Sequence, residues 1–444
     1  MRSLQLAALR AASFLIVGAL LAAPGFAAEP ERISELLTRG TGEIKALEIR
    51  PGLWLASGNS NAYLVETEAG AVLIDTGLGP EAERTHAALR AATDAPVRKL
   101  ILTHAHADHI GGVSYWQGDG VETIAAKAFA LRNRYYHELR PFQAARARVL
   151  WANVMPEGGE ERFPYPRVSV DRFVDGAYTF ELGGLTFEVL ETPGGEGPDA
   201  VSVWIPEWRA LFSGDALGPS TAAFPNLFTL RGENIREAVP IVESLERMAA
   251  LEPELLLTGH LDPLSGADEI RETLTRTASA IRYVYDATVA GMNAGKDVWT
   301  LMREITLPPE LEVSEEYGRV AWGVRAIWES HVGWFRYEST TELYDVPAHE
   351  IYPDLVAAAG GPGALTQAAM TRLVNGQPLH ALHLAEVVLA ADPLAKGGLV
   401  VKRAALQALA ENDGGKNFQL GGWLRHELAA TEAVLADLAA MAPR

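Results

Sequence analysis

The residues best suited to chemistry lie in one stretch, Lys99–Val113, which reads KLILTHAHADHIGGV. A short apolar strand, Leu100-Ile101-Leu102, breaks into Thr103-His104-Ala105-His106-Ala107-Asp108-His109, and Gly111-Gly112 follow. The chain has 11 histidines in 444 residues, so three imidazoles and a carboxylate within one short loop form a concentrated donor set. Neutral imidazole and carboxylate are donors that Zn²⁺, Fe²⁺ and Mn²⁺ accept. The small alanines between them let a tight turn aim alternate side chains into one space. There is no cysteine, so disulfides and thiolate ligands are excluded and a transition metal must sit on His, Asp or Glu.

Other acids and imidazoles stand just after apolar strands: Asp75 after Ala71–Ile74, Asp215 after Ala210–Phe212, and His260 after Leu255–Leu257. Glu196 lies in the turn-rich loop Thr192–Asp199. In a sheet-based fold the strand ends gather on one edge, so these loops can converge. A two-metal centre needs such convergence, because one short segment cannot supply all its ligands.

The elements that position these residues read as follows. Leu53–Ala56, Asn61–Val65 and Ala71–Asp75 are consecutive antiparallel strands divided by Gly58 and by Thr67–Gly70. Pro80–Ala92 has helical spacing, Val97–Leu102 and Glu122–Ala125 are strands, and Ala128–Asn153 is helical. Arg132, Arg134, Arg140, Arg146 and Arg148 on that helix read mainly as a solvated face; one or two could join Trp151 at a pocket mouth. Strands resume at Arg172–Val174, Tyr178–Leu182, Leu185–Glu191, Val201–Ile205 and Ala210–Phe212, and helices are expected at Asn234–Ala250 and Ala267–Ala290. From about residue 276 apolar residues recur only at helical spacing, and Ala364–Glu411 loosely resembles stacked helix pairs. His86, His137, His331, His349, His380, His383 and His426 lack paired ligands, and Trp299, Trp322, Trp328 and Trp334 read as core or subunit contacts.

The expected domains are therefore a signal peptide at 1–28, a catalytic domain at 29–275 and an all-helical dimerisation domain at 276–444. Arg2 and Arg10, an apolar run Ala11–Ala23 and small residues to Ala28 make the first segment a cleavable secretory signal. This predicts a periplasmic or secreted protein with no stable membrane anchor after cleavage. Net charge is −19, and loss of the signal takes it to about −21. Such a surface repels nucleic acid, and an anionic substrate needs a local positive site.

His104-Ala105-His106-Ala107-Asp108-His109, with Gly111-Gly112, resembles the H-x-H-x-D-H motif of the metallo-β-lactamase superfamily. Asp75-Thr76-Gly77, Ser213-Gly214-Asp215 and Gly259-His260 resemble its other motifs in their expected order, over roughly residues 45–275. The implied fold is α/β, an αββα sandwich, followed by an all-α domain. Most of the superfamily has His where this chain has Gly195, with Glu196 next. The alkylsulfatase branch uses Glu in a Thr-Pro-Gly-x-Glu loop, and Asn226–Gly232 (NLFTLRG) is similar to its Asn-Leu-Tyr-Thr-Leu-Arg-Gly. The helical half, through Gly333-Trp334-Phe335 to Gly360-Gly361, resembles its dimerisation domain. Two features depart: Asp215 stands where that branch commonly has Glu, and no stretch resembles the sterol-carrier-like domain that often follows.

The resemblance implies two Zn²⁺ per subunit. His104, His106 and Glu196 would hold the first, Asp108, His109 and His260 the second, with Asp215 bridging; Asp108 and Asp215 are the implied catalytic carboxylates. Asp108, Glu196, Asp215 and one hydroxide balance the charge of two zinc ions, which makes a separate cation useful. Arg231 is that cation, with Asn226 and Trp151 as further substrate-binding residues. The implied reaction is cleavage of a sulfate ester by a metal-bound hydroxide, with a small anionic or amphiphilic ester as substrate and a homodimer as the assembly. The alternatives are a hydrolase of another ester class (lactone, phosphoester or β-lactam) and a scaffold protein with a vestigial metal site. An electron-transfer di-iron protein of this fold tends to carry Glu where His106 stands.

Overall fold

The computed structural model describes residues 39–151, 165–221, 223–413 and 415–441. The expected signal at 1–28, a lead-in helix around Ile33–Leu37 and the end of the helix expected to reach Asn153 lie outside the described residues.

Two sheets face each other. The first runs in chain order: β1 (Ala46–Arg50), β2 (Leu53–Ser57), β3 (Asn61–Thr67), β4 (Gly70–Ile74), β5 (Val97–Ile101), β6 (Glu122–Ala126) and β7 (Arg172–Val174). Its first four strands are antiparallel hairpins, and β4 to β7 are parallel. The second sheet comprises β8 (Ala177–Leu182), β9 (Leu185–Glu191), β10 (Val201–Ile205), β11 (Ala210–Gly214), β12 (Leu255–Thr258) and β13 (Leu264–Ser265), in the order β13-β12-β11-β10-β9-β8. Only β11 and β12 are parallel in it.

The near-continuous apolar runs of β4, β10 and β11 are explained by burial on both faces. Between the sheets, Leu53, Val72 and Ile101 pack against Val203, Phe212 and Leu257. On the outer face of the first sheet, Leu73 and Leu100 meet Leu89 of α1 (Ala82–Ala92). A one-turn helix, α2 (Ala107–Ile110), follows the histidine loop, and Phe129 of α3 (Phe129–Leu150) joins the same cluster. On the outer face of the second sheet, Leu211 and Leu256 meet Leu245 of α4 (Ala238–Ala250) and Leu274 of α5 (Ala267–Asn293). This is the expected αββα layering.

The boundary expected at 275 falls inside α5, which continues unbroken. Beyond it, Ala278, Ile281 and Val284 share one core with Leu301 of α6 (Val298–Glu304) and Val324 of α7 (Val320–Val332). Short α8 (Tyr352–Ala358) leads to α9 (Pro362–Val374), α10 (Pro378–Ala391), α11 (Lys396–Asp413) and α12 (Phe418–Met441). Ala369, Ala381, Ala385 and Ala405 let these helices approach closely. The last helix then returns to α3: a Cβ at Gly422 would lie 2.1 Å from the Leu150 carbonyl, so only glycine allows this approach. Among the described residues no helix is long and apolar enough to cross a membrane.

Phe212 is fully buried between the sheets, and its truncation leaves a cavity worth about 3–5 kcal/mol. Phe212→Ala should lower the thermal unfolding midpoint by about 5 °C or more; a midpoint within one degree of the native value would contradict this account of the core.

Candidate metal centre

Parallel strand direction sends the loops after β4 and β5 to one edge of the first sheet, and those after β11 and β12 to the same edge of the second. Asn61 stitches the two sheets there. Its backbone N–H donates to Gly259 O (2.7 Å), and its amide donates to Thr258 O (3.0 Å) and Leu261 O (2.8 Å). Asp75, the 104–109 loop, Asp215 and His260 therefore meet, as the strand-end positions predicted.

The histidine loop is shaped by Asp75. Its buried carboxylate accepts from Thr103 N–H (2.8 Å), Thr103 Oγ1 (2.7 Å) and His109 Nδ1 (2.8 Å). The residue has φ 58°, which turns its side chain back toward β5. The neighbouring Thr76 donates through N–H and Oγ1 to the His109 carbonyl (2.8 and 2.9 Å), and its Oγ1 accepts from Gly112 N–H (3.1 Å). A Cβ on Gly111 would sit 2.2 Å from Gly79 N, so the glycine pair is what lets the two loops touch. Asp199 Oδ2 adds a hydrogen bond from Ala105 N–H (2.8 Å).

These bonds decide which ring nitrogens are left as lone pairs. His109 commits Nδ1 to Asp75, and His260 commits Nδ1 to Asn59 O at 2.6 Å. Their Nε2 atoms then face each other at 3.4 Å. Thr103 Oγ1 gives its proton to Asp75, so it accepts from His104 Nδ1 at 3.1 Å. That leaves His104 Nε2 as a lone pair, 3.0 Å from His106 Nδ1. Lone pairs aimed at one another are what a cation relieves. Asp215 Oδ2 lies 3.0 Å from His260 Nε2 and 3.4 Å from His109 Nε2, while its Oδ1 is buried without a hydrogen-bond partner among the described residues. The residues thus fit a pair of divalent ions.

Among the described residues, two groups have donor atoms within 4.8 Å of one another: His104, His109 and Asp215, and Asp108, His109 and His260. The second trio is the expected set for the second ion, and Asp215 with His109 links the two groups. His106 and Glu196 stand beside them, with His106 Nδ1 3.4 Å from Glu196 Oε2. Electrostatics follow the packing. Burial, with His109 and His106 nearby, holds the His104 pKa well below its ordinary value, so the ring is neutral. Burial opposes charge on His109 and His260 too, but Asp215 and Asp108 outweigh it and raise both.

The substrate-side residues are more crowded than the sequence suggested. Arg231 stacks over Trp151 at 5.2 Å, but its Nε donates to Glu233 Oε1 (2.8 Å) and its Nη2 to the same oxygen. Arg236 grips Glu196 through Nη1–Oε1 (2.7 Å) and Nη2–Oε2 (2.8 Å), and Tyr317 donates to Glu196 Oε1 (3.0 Å). Both amide atoms of Asn226 are buried without partners among the described residues. The solvated reading of Arg132 does not hold. It is buried, donates to Asn234 Oδ1 (2.8 Å) and stands 3.9 Å from Asp199. Sequence reasoning missed Glu233, Arg236 and Tyr317. Glu233 lies two positions from Arg231 and could have been weighed, whereas no local signal marked Tyr317 in the helical half. That half also reaches in through Gln419 of α12, whose Oε1 accepts from Leu230 N–H (3.0 Å) and so pins the residue before Arg231.

Replacing one oxygen of Asp75 by an amide group removes acceptors needed by Thr103 and His109. Asp75→Asn should weaken divalent-metal affinity by about 10–100-fold, read by chelator competition; native affinity would remove Asp75 from its positioning role.

Residues 56–260 match the Metallo-beta-lactamase superfamily, and residues 299–419 match the alkyl sulfatase dimerisation family. A linear primary-alkylsulfatase of a Pseudomonas species is 28% identical over 338 residues, covering 70% of this chain and 63% of the relative. An (R)-specific secondary-alkylsulfatase of Pseudomonas is 24% identical over 412 residues, covering 82% and 59%. The chain thus spans about three fifths of the length of the curated relatives it matches. The solved structure of the stereoselective inverting sec-alkylsulfatase Pisa1 from Pseudomonas shares the fold, with a TM-score of 0.75 at 21% identity, covering 88% of this chain and 66% of that one. The chain thus combines a metallo-β-lactamase domain at 56–260 with an alkyl sulfatase dimerisation domain at 299–419.

Proposed function

We propose that the protein is a dinuclear zinc hydrolase of the alkylsulfatase type, exported from the cytoplasm and acting on sulfate esters of small amphiphilic alcohols. The observation that carries this reading is the placement of the Asn226–Gly232 segment against the donor cluster. Arg236, just beyond it, holds both the Asn226 carbonyl (3.2 Å) and the Glu196 carboxylate. Gly195 stands where most of the superfamily has histidine, and the Glu196 that follows lies in the direction of the alkylsulfatases.

In this reading His104, His106 and Glu196 hold one ion, Asp108, His109 and His260 the other, and Asp215 lies between them. The chemistry such a pair supplies when bound is activation of a water at neutral pH and polarisation of the ester. The chain's own residues do the rest. Asp215 Oδ1 is the buried acceptor available to orient the attacking water. Asp108, whose side chain is a quarter exposed, stands at the open side of the cluster. Asn226 offers an unpartnered amide to an ester oxygen, and Arg231 with Trp151 forms a cationic wall over an aromatic face. A hydrolase of neutral esters remains the second reading, favoured by the Glu233 carboxylate on Arg231.

Zinc-loaded protein should release inorganic sulfate from octyl sulfate. Release from none of several alkyl sulfates would overturn the sulfatase reading. Arg231→Ala should raise KM for octyl sulfate by about tenfold or more while leaving KM for a neutral ester within twofold; equal effects on both would remove Arg231 from the anion site. The reading includes a homodimer through the helical half, supported by large apolar side chains left exposed there: Trp334 (69%), Tyr337 (88%) and Tyr344 (71%). Light scattering should give twice the chain mass, and a monomer would refute the dimer.

A further inference from the structure

Glu233 is the acid that the site's other features leave unexplained. Its side chain is 1% exposed, yet it belongs to neither donor trio. It touches Arg231 through Nε (2.8 Å) and Nη2, Arg236 through Nη2 (3.1 Å), and approaches His106 Nε2 at 3.5 Å. Around the donor cluster each guanidinium already has an acid: Arg236 has Glu196, Arg132 has Asp199, and Arg231 has Glu233. The Nε–Nη2 edge of a guanidinium is the fork that takes two oxygens of a carboxylate or sulfate. On Arg231 that edge is turned onto Glu233 Oε1, while Trp151 covers a face of the guanidinium. A ligand oxyanion seeking this edge of Arg231 must displace the carboxylate, and one that takes the remaining Nη1 side does so beside a like charge, where unlike charge pairs are strongly preferred to like ones.

We propose that Glu233 is a specificity-determining residue: an internal carboxylate that occupies the Arg231 fork, weakens the binding of sulfate-type oxyanions and shifts the site toward esters of lower negative charge. The inference rests on the reading of Arg231 as the substrate-side cation. It addresses how strongly the same site takes a compact sulfate against an ester of lower charge. An ester whose charge is small or spread over a large headgroup would bind without breaking the Arg231–Glu233 pair, and a compact oxyanion would bind only by breaking it.

The test uses the zinc-loaded full chain and octane-1-sulfonate, an oxyanion that is not turned over, with 1-octanol as the uncharged comparison. Glu233→Gln removes the charge and keeps the shape and an acceptor near His106, and metal content is measured on each sample. Calorimetry should show octanesulfonate binding about tenfold tighter or more to Glu233→Gln than to the native protein, with octanol affinity within twofold. In an Arg231→Ala background the same substitution should give no such gain. Unchanged or weaker sulfonate binding by Glu233→Gln at native metal content overturns the proposal, and so does a gain that persists without Arg231. Sulfonate binding needs no turnover. A protein that hydrolyses no sulfate ester but gains sulfonate affinity through Glu233→Gln refutes the sulfatase reading alone, and sulfate release without that gain refutes this inference alone.

Discussion

The centre of this protein depends on one buried carboxylate, that of Asp75. A non-glycine residue at positive φ costs of order 1 kcal/mol, and here the geometry is held by three hydrogen bonds to a charged acceptor. Those bonds bind the loop after β4 to the loop after β5 and choose the tautomer of His109. Through Thr103 they also choose that of His104. With both rings oriented, their free nitrogens have only one direction to point, and the remaining donors meet them from the second sheet. Asn61, joining the strand edges of both sheets, keeps that meeting in register.

Around this cluster lies a second layer of charge, in which buried arginines meet buried acids. Arg236, Arg132 and Arg231 each sit against an acid. Removing one partner of such a buried pair leaves an uncompensated charge, so the pairs also set the shape of the site wall. The helical half takes part in this layer through Tyr317 on Glu196 and Gln419 beneath Leu230. It is therefore a structural neighbour of the centre as well as the expected means of association. The unbroken α5, with one core on both sides of residue 275, joins the two halves.

Much of this was legible in the sequence because the relevant signals are local. The alternation and length of apolar runs placed the strands, and the donors at strand ends predicted the edge on which they gather. Gly111-Gly112 was visible in the sequence only as the pair that follows the motif, and the structure supplies its reason: the contact with Gly79 leaves no room for a Cβ. The start of α4 was less legible. A helix was expected from Asn234, but it begins at Ala238 and 234–237 is irregular: Arg236 is drawn into the Glu196 pair and Asn234 accepts from Arg132. Tertiary contacts there outweigh helical spacing.

The sequence by itself determined the donor types, their order and their attachment to strand ends, since each of these is a property of a residue and its near neighbours. Only the tertiary structure decided which charges cancel. Glu196 meets Arg236 across 40 positions and Tyr317 across 121, and Arg231, read in sequence as the free cation of the site, is held by Glu233. Charge pairing falls off with distance in space, and distance in space is what a linear chain does not record.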